Sequence, residues 1–177
     1  ADFTFDAAAT QIAANQHFKL WADYIYLDTD ERRRFAQTSH EYLIEQVQTS
    51  KSNVIAKGCV TKVPLHFNHP VKELVWKFDG TVEPCKDTAL LRLNGHERFS
   101  KRVMGYFSRV QLYQHHTGAH DDDALCSYSF ALQPEEHQPS GTCNFSRIDN
   151  AQLELKTVKL DNAGATQNLN LKLYAVN

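Results

Sequence analysis

The residues best equipped for chemistry gather in His115-His116-Thr117-Gly118-Ala119-His120-Asp121-Asp122-Asp123, where three imidazoles and three carboxylates could ligate a transition metal or calcium. A metal site needs ligands that converge, and a Gly-containing loop does not ensure convergence, so the run reads as a solvated polar loop. It also lacks the HxH spacing of cupin metal enzymes. His66 and His69 point to opposite faces if they lie on a strand, so they cannot chelate together unless Pro70 bends the chain. Glu135-Glu136-His137 sits between Pro134 and Pro139, in a turn-rich segment. Adjacent carboxylates there usually diverge, which suits general acid–base work poorly. No GxSxG elbow, Gly-rich phosphate loop or HExxH helix occurs. Asn144-Phe145-Ser146 is formally a glycosylation sequon but overlaps an expected strand. Cys59, Cys85, Cys126 and Cys143 form no CxxC pair and are too few to staple a secreted scaffold. They read as reduced structural thiols, with Cys126 a small buried hydrophobe, in a chain that folds in an intracellular compartment. These residues predict no catalytic site, no metal and no cofactor.

The elements that must position them are mostly strands. Leu169, Leu171, Leu173 and Ala175 alternate with Asn170 and Lys172, and Ala151, Leu153 and Leu155 alternate with Gln152 and Glu154. The same period of two recurs in Val63-Leu65-Phe67, Leu74-Trp76-Phe78, Ala89-Leu91-Leu93 and Cys126-Tyr128-Phe130-Leu132. A strand turns successive side chains to opposite faces, so each pattern buries one face, and several in succession predict an antiparallel sandwich or barrel. One helix is expected, from Asp28 to about Gln37. Asp28 followed by Glu31 forms a variant capping box, and the acidic residues suit the positive end of the helix dipole. The Arg32-Arg33-Arg34 run, offset by Asp28, Asp30 and Glu31, reads as a solvated or salt-bridged helix face. Glu41–Gln48 returns to a β-rich pattern. Gly80, Asn94-Gly95, Gly118, Gly141 and Gly164 mark turns, and the stretches Gly95–Tyr106 and Gln114–Asp123 read as projecting loops.

Composition bounds the class. In 177 residues there are 19 Lys+Arg against 21 Asp+Glu, with 42% hydrophobic and 11% aromatic residues. That supports a packed core and excludes general disorder. The near-balance of charge argues against a nucleic-acid binder, which normally carries a basic excess. No apolar run approaches the roughly 20 residues a membrane-spanning helix requires. Ala1 rather than Met opens the sequence, and Asn177 closes an alternating stretch without a tail, so both ends read as cut from a longer chain.

Three long, irregular blocks carry a resemblance. They are Asp28–Gln37 followed by His40–Gln48, then Phe67–Trp76, then Tyr128–Leu132 followed by Pro134–Asp149. In content and order they resemble the major capsid proteins of nucleocytoplasmic large DNA viruses, nearest to the algal-virus and mimivirus-like branch. The signature residues are Asp28, Glu31, Arg32, Arg33, Arg34 and Phe35 in the first block. The second contributes Asn68, His69, Pro70 and Trp76. The third contributes Pro134, Glu135, Glu136, His137, Gln138, Pro139, Ser140, Gly141, Asn144, Phe145, Ser146 and Arg147. In this role Pro139-Ser140-Gly141 would form a tight turn, Gln138, Asn144 and Ser146 would bond loop backbone, and Arg147 would meet a carboxylate such as Asp149.

The resemblance implies an all-β chain, an antiparallel β-sandwich of jelly-roll type within a double jelly roll. Residues 1–37 would be the last strands of the first jelly roll plus a connector helix. Residues 38–177 would be the second, truncated at its C-terminal end. It further implies a structural, non-enzymatic subunit without a cofactor, three copies of which form a pseudo-hexameric capsomer of an icosahedral shell. The implied partners are other copies of the chain, neighbouring capsomers, minor capsid proteins and, indirectly, an internal viral membrane, with no direct nucleic-acid contact. The implied location is the virion, assembled in the host cytoplasm. The Ser50–Val60 and Asp121–Asp123 segments have no counterpart in the resemblance and read as variable loops. The missing first-domain neighbour would leave an apolar patch over Phe3, Phe5, Phe18 and Leu20. Two rivals remain open on the residues alone: a jelly-roll glycan-binding module, such as a lectin or fibre base, and a cupin-like metal enzyme.

Overall fold

A computed structural model of the chain describes residues 21–51, 53–56, 58–79, 85–118, 123–157 and 168–177. The expected patch over Phe3, Phe5, Phe18 and Leu20 lies outside these residues. Two compact units divide at Tyr42 and Leu43.

In the first unit the helix forms where its capping residues place it. The α-helix α1 spans Thr29–Gln37 with Asp28 as its N-cap, but the Asp28 carboxylate accepts from the Thr29 N–H at 2.7 Å rather than from that of Glu31, so the expected capping box gives way to a single local bond. No residue of α1 is buried, and Arg33 pairs with Asp30 at 3.5 Å, so the arginine run is a solvated face as expected. Past the helix, His40 Nε2 lies 2.9 Å from the Phe35 carbonyl, and the two rings stack at 5.1 Å.

The second unit is built from β1 (Val47–Thr49), β2 (Asn53–Ile55), β3 (Val60–Pro64), β4 (Pro70–Val71), β5 (Glu73–Asp79) and β6 (Thr88–Leu93). After these come β7 (His96–Glu97), β8 (Arg102–Val103), β9 (Leu125–Ser129), β10 (Cys143–Asn144), β11 (Ala151–Lys156) and β12 (Leu169–Val176). One sheet runs β1-β12-β5-β9, with β2 also on β12. The facing sheet runs β3-β11-β6-β7, with β8 also on β6, and β4 pairs separately with β10. Every pairing is antiparallel. Counting β1/β2 and β7/β8 as interrupted single strands and setting the β4–β10 pair aside, the path crosses between the two large sheets at every step except the β6–β7 hairpin. That winding is the jelly roll.

Alternation explains the sandwich. Leu74, Trp76 and Phe78 of β5 and Leu171, Leu173 and Ala175 of β12 are fully buried, facing Ala89 and Leu91 of β6 and Leu153 and Leu155 of β11. Burying each leucine or phenylalanine among these contributes about 1.5–3 kcal/mol. The β6–β7 hairpin turns on Asn94 and Gly95, both at positive φ (50° and 82°), which matches the strand twist in a two-residue turn.

Three local expectations are corrected. The Cys126–Leu132 strand stops at Ser129. The Phe130 and Ala131 N–H groups both turn to the Lys72 carbonyl, and Ser129 Oγ bonds both the N–H and the carbonyl of Ala131, so the ladder ends and Leu132 is 75% exposed. The β-rich reading of Glu41–Gln48 yields strand only from Val47, with Tyr42, Leu43 and Ile44 exposed. The stretches Gly95–Tyr106 and Gln114–Asp123, expected as projecting loops, are partly regular: the first holds β7 and β8, and a π-helical turn Tyr106–Val110 runs into α2, Gln111–His115, which enters the second. Met104, Phe107, Ser108, Gln111 and Leu112 form its buried stripe, at helical spacing but interrupted by two polar residues. The helix lies along β9, where Gln111 Oε1 accepts from the Ser129 N–H at 3.2 Å, and Phe107 reaches the core against Trp76 at 5.3 Å. It covers a sheet edge that would otherwise present free backbone groups.

Candidate functional site

The Glu45–Gln48 end of the first irregular block meets the second and third blocks, far apart along the chain, at one end of the sandwich. That end holds the start of β1, the β3–β5 connection, the β9–β11 connection and the end of β12. The join is made largely of side chains replacing backbone partners. Gln48 accepts from the Asn68 N–H at 2.9 Å, and its amide nitrogen donates to the Asn68 carbonyl at 2.5 Å and to Asn177 Oδ1 at 3.0 Å. The next residue, His69, takes φ 67°, a left-handed conformation that costs a non-glycine residue energy and is held here from both sides. Its N–H donates to Ser146 Oγ at 2.8 Å, and its carbonyl accepts from the Phe145 N–H at 3.1 Å. Pro70 then opens β4 against Asn144.

The third block folds around this point. Ser140 Oγ accepts from the Gln133 N–H at 2.8 Å and donates to its carbonyl at 3.3 Å, closing the Gln133–Ser140 loop. Pro134 is buried under that loop. Gly141 is required by proximity, because a Cβ there would lie 2.9 Å from the Phe130 carbonyl oxygen. Asn144 Oδ1 caps a 3₁₀ turn, Phe145–Arg147, by accepting from the Ser146 N–H at 3.1 Å. Phe145 is buried edge-on between Phe67 at 6.1 Å and Phe130 at 5.9 Å.

Charge is organised at the same end. Lys72 is almost fully buried. Its ammonium donates to the Glu45 carboxylate and, at 3.2 Å, to the Glu136 carbonyl. The Lys72 hydrogen bond holds the Glu45 carboxyl below its ordinary range. His137 Nδ1 lies 3.9 Å from the other Glu45 oxygen. These groups floor a cavity of about 310 Å³ walled by Leu43, Ile44, Pro70 and Pro139. Behind it, His116 at the end of α2 lies between two carboxylates: Nε2 is 3.0 Å from Glu73 Oε2, and Nδ1 is 3.3 Å from Glu135 Oε1. Burial pushes the Glu73 carboxyl up, whereas a hydrogen bond from the Thr117 N–H holds Glu135 down.

The signature residues therefore divide. Asn68, His69, Pro70, Pro134, Glu135, Glu136, His137, Pro139, Ser140, Gly141, Asn144, Phe145 and Ser146 share this end. Trp76 sits in the core, and Asp28, Glu31, Arg32, Arg33, Arg34 and Phe35 belong to the first unit. Asn144 and Ser146 bond loop backbone as expected, whereas Gln138 is exposed. Arg147 is exposed at the end of its 3₁₀ turn rather than paired with Asp149. The polar run from His115 is not simply solvated. His115 Nδ1 lies 2.9 Å from the Leu132 carbonyl, His116 is mostly buried, and Asp123 takes both Arg109 hydrogen bonds, at 2.9 and 2.8 Å; residues 119–122 lie outside the described set. Glu45, Gln48, Lys72, Glu73 and His116 hold the site together without being signature residues. Glu45, Gln48, Lys72 and Glu73 were marked only by membership of the irregular blocks, and His116 by the polar run weighed as a metal site. The four cysteines are free; Cys126 is fully buried, but Cys59 and Cys85 are exposed and are not structural core thiols. No cluster of three or more His, Cys, Asp or Glu residues arranged to hold a metal occurs among the described residues. The arrangement is a tied-down surface, with bonds that fix loops rather than aim a reactive atom.

Comparison with known proteins agrees with this geometry. A family model described as "Large eukaryotic DNA virus major capsid protein" matches residues 31–177. The major capsid protein of Pyramimonas orientalis virus is 50% identical, over 89% of this chain and 44% of its own length. That of Paramecium bursaria Chlorella virus 1 is 39% identical, over 84% of this chain and 44% of its own. Among solved structures, "PBCV-1 virus capsid, quasi-atomic model" matches with a TM-score of 0.74 and 35% identity, covering 87% of this chain and 52% of that one. The chain thus spans about half the length of the relatives it matches. With the match running from within the helix through the jelly roll and the loops tied together at its end, the chain belongs to the family of major capsid proteins of large eukaryotic DNA viruses.

Proposed function

We propose that this chain is part of a shell-forming subunit, and that three copies of the whole protein close into a pseudo-hexameric capsomer of an icosahedral virion. The observation that carries the reading is the jelly roll whose end is stitched together by Gln48, Lys72 and Ser146, drawn from segments far apart along the chain. Those bonds stiffen loops, which suits a tile whose work is mechanical. A trimer around a threefold axis uses heterologous contacts that close on themselves.

In this reading residues 1–37 end a first jelly roll and supply the connector, and residues from 38 onward form the second. The boundary between compact units at Tyr42 and Leu43 supports that division. Copies of itself, neighbouring capsomers and minor capsid proteins are its partners, an internal membrane is an indirect neighbour, and assembly proceeds in the host cytoplasm. Light scattering on the full-length protein tests the central claim. A mass of three chains with a hexagonal outline in electron micrographs is expected. A monomer at the concentrations that support shell assembly overturns it.

A further inference from the structure

The His116 cluster carries an inference beyond a static tile. Nδ1 faces a Glu135 oxygen at 3.3 Å, and that carboxylate already accepts from the Thr117 N–H at 3.2 and 3.3 Å, so it remains an acceptor and Nδ1 supplies the hydrogen. Nε2 then faces Glu73 Oε2 at 3.0 Å, and both atoms are buried, with no other hydrogen-bond partner among the described residues. Without a proton between them, a ring lone pair would face a carboxylate oxygen in a dry site, which is repulsive.

We propose that one proton is held between Glu73 and His116, and that it latches the Gln133–Ser140 loop to the sheet. With the proton in place, β5, the end of α2 and the loop are joined through one imidazole. When the proton leaves, the Glu73 side repels the ring and the Glu135 side is left to hold the loop alone. It does not matter whether the proton resides on carboxylate or ring, because both placements make the same bond.

The charged groups around the ring are few among the described residues. Glu73 comes from β5, with Lys72 beside it committed to Glu45. Glu135 comes from the loop. His115, on the ring's own helix, lies against the Leu132 carbonyl, and Arg109, one turn and more earlier, is bound to Asp123. Burial raises the Glu73 carboxyl, in the direction the shared proton requires. A folded state that keeps this proton longer than the unfolded chain loses stability as pH rises through the cluster's titration.

Hydrogen exchange on the full-length protein, with protection corrected for intrinsic rates, reads the latch in peptides covering residues 112–118 and 130–142. Raising the pH from about 5 to about 9 should lower protection there about tenfold, and leave the β11 and β12 peptides unchanged. Glu73→Gln places a permanent N–H donor against Nε2, so its protection should stay high across the range. His116→Gln removes the imidazole through which the shared proton joins Glu73 to the loop, and protection should no longer vary with pH. A flat wild-type profile overturns the proposal. So does a pH dependence that survives in Glu73→Gln or, if that variant does not fold, in His116→Gln.

Discussion

At the scale of single residues, the site depends on a few positions where no other side chain serves. Gly141 is one, since its missing Cβ leaves room for the Phe130 carbonyl. Backbone cannot retreat as a flexible side chain can, so Gly141→Ala should cost about 1–3 kcal/mol, read as a lower urea midpoint at unchanged slope. Gln48 is another. Its amide mimics a strand partner for Asn68, and Gln48→Ala should cost about 1–3 kcal/mol by leaving loop backbone unpaired, again read from the urea midpoint. Gly141 was legible in the sequence as a turn residue, though not for the close approach that requires it, and Gln48 only as a member of an irregular block. Neither hydropathy nor spacing marks a side chain that substitutes for backbone, because its partner is 20 residues away for Gln48.

At the scale of elements, period two was readable wherever a strand packs one face inward. Leu74-Trp76-Phe78 and Leu169-Leu171-Leu173 are buried as their alternation requires, and Asp28 starts α1 as its capping position requires. The segment from Met104 to Leu112 was not readable. Its inward stripe includes Ser108 and Gln111, whose polar groups lower the apparent amphipathicity although both are buried. Gln111 is inside because it serves the free edge of β9, a task invisible until the edge is known. Phe107→Ala should cost about 3–5 kcal/mol, since it empties the contact with Trp76 and removes the helix's anchor. Thermal unfolding checks that loss. Exchange at Ser129 should rise at the same time if the helix lifts from β9. The overrun at Leu132 has a related cause: alternation persists in the letters after the ladder has turned its bonds to Lys72.

At the scale of the molecule, the ionisable groups set opposite pH limits. Lys72 holds Glu45 below the ordinary carboxylate range, Arg109 does the same to Asp123, and the Thr117 N–H does so to Glu135. A lowered folded-state carboxyl contributes stability above its unfolded value and loses it as pH falls through the folded one. Stability should therefore decline on acidification below about pH 4.5. A series of urea midpoints measures this, and the decline should be shallower in Glu45→Gln. The architecture itself was legible from the strand patterns and the resemblance together. The meeting of Gln48, the Asn68–Lys72 segment and the Gln133–Ser146 segment was not, because sequence order says nothing about which end of a sandwich a loop occupies.

One consequence concerns force. Gln46 and Asn177 exchange backbone hydrogen bonds at 2.8 and 2.9 Å beside the rung Val47–Val176, so the segment before β1 and the residue after β12 lie side by side and antiparallel. Tension drawing Gln46 and Asn177 apart would load these rungs one after another, as a zipper, instead of all together in shear. The tile should resist strain applied across its sheets far better than strain applied at this seam. In a pulling experiment, attachment at Gln46 and Asn177 should open the fold at lower force than attachment at Gln46 and Leu169, at the far end of β12.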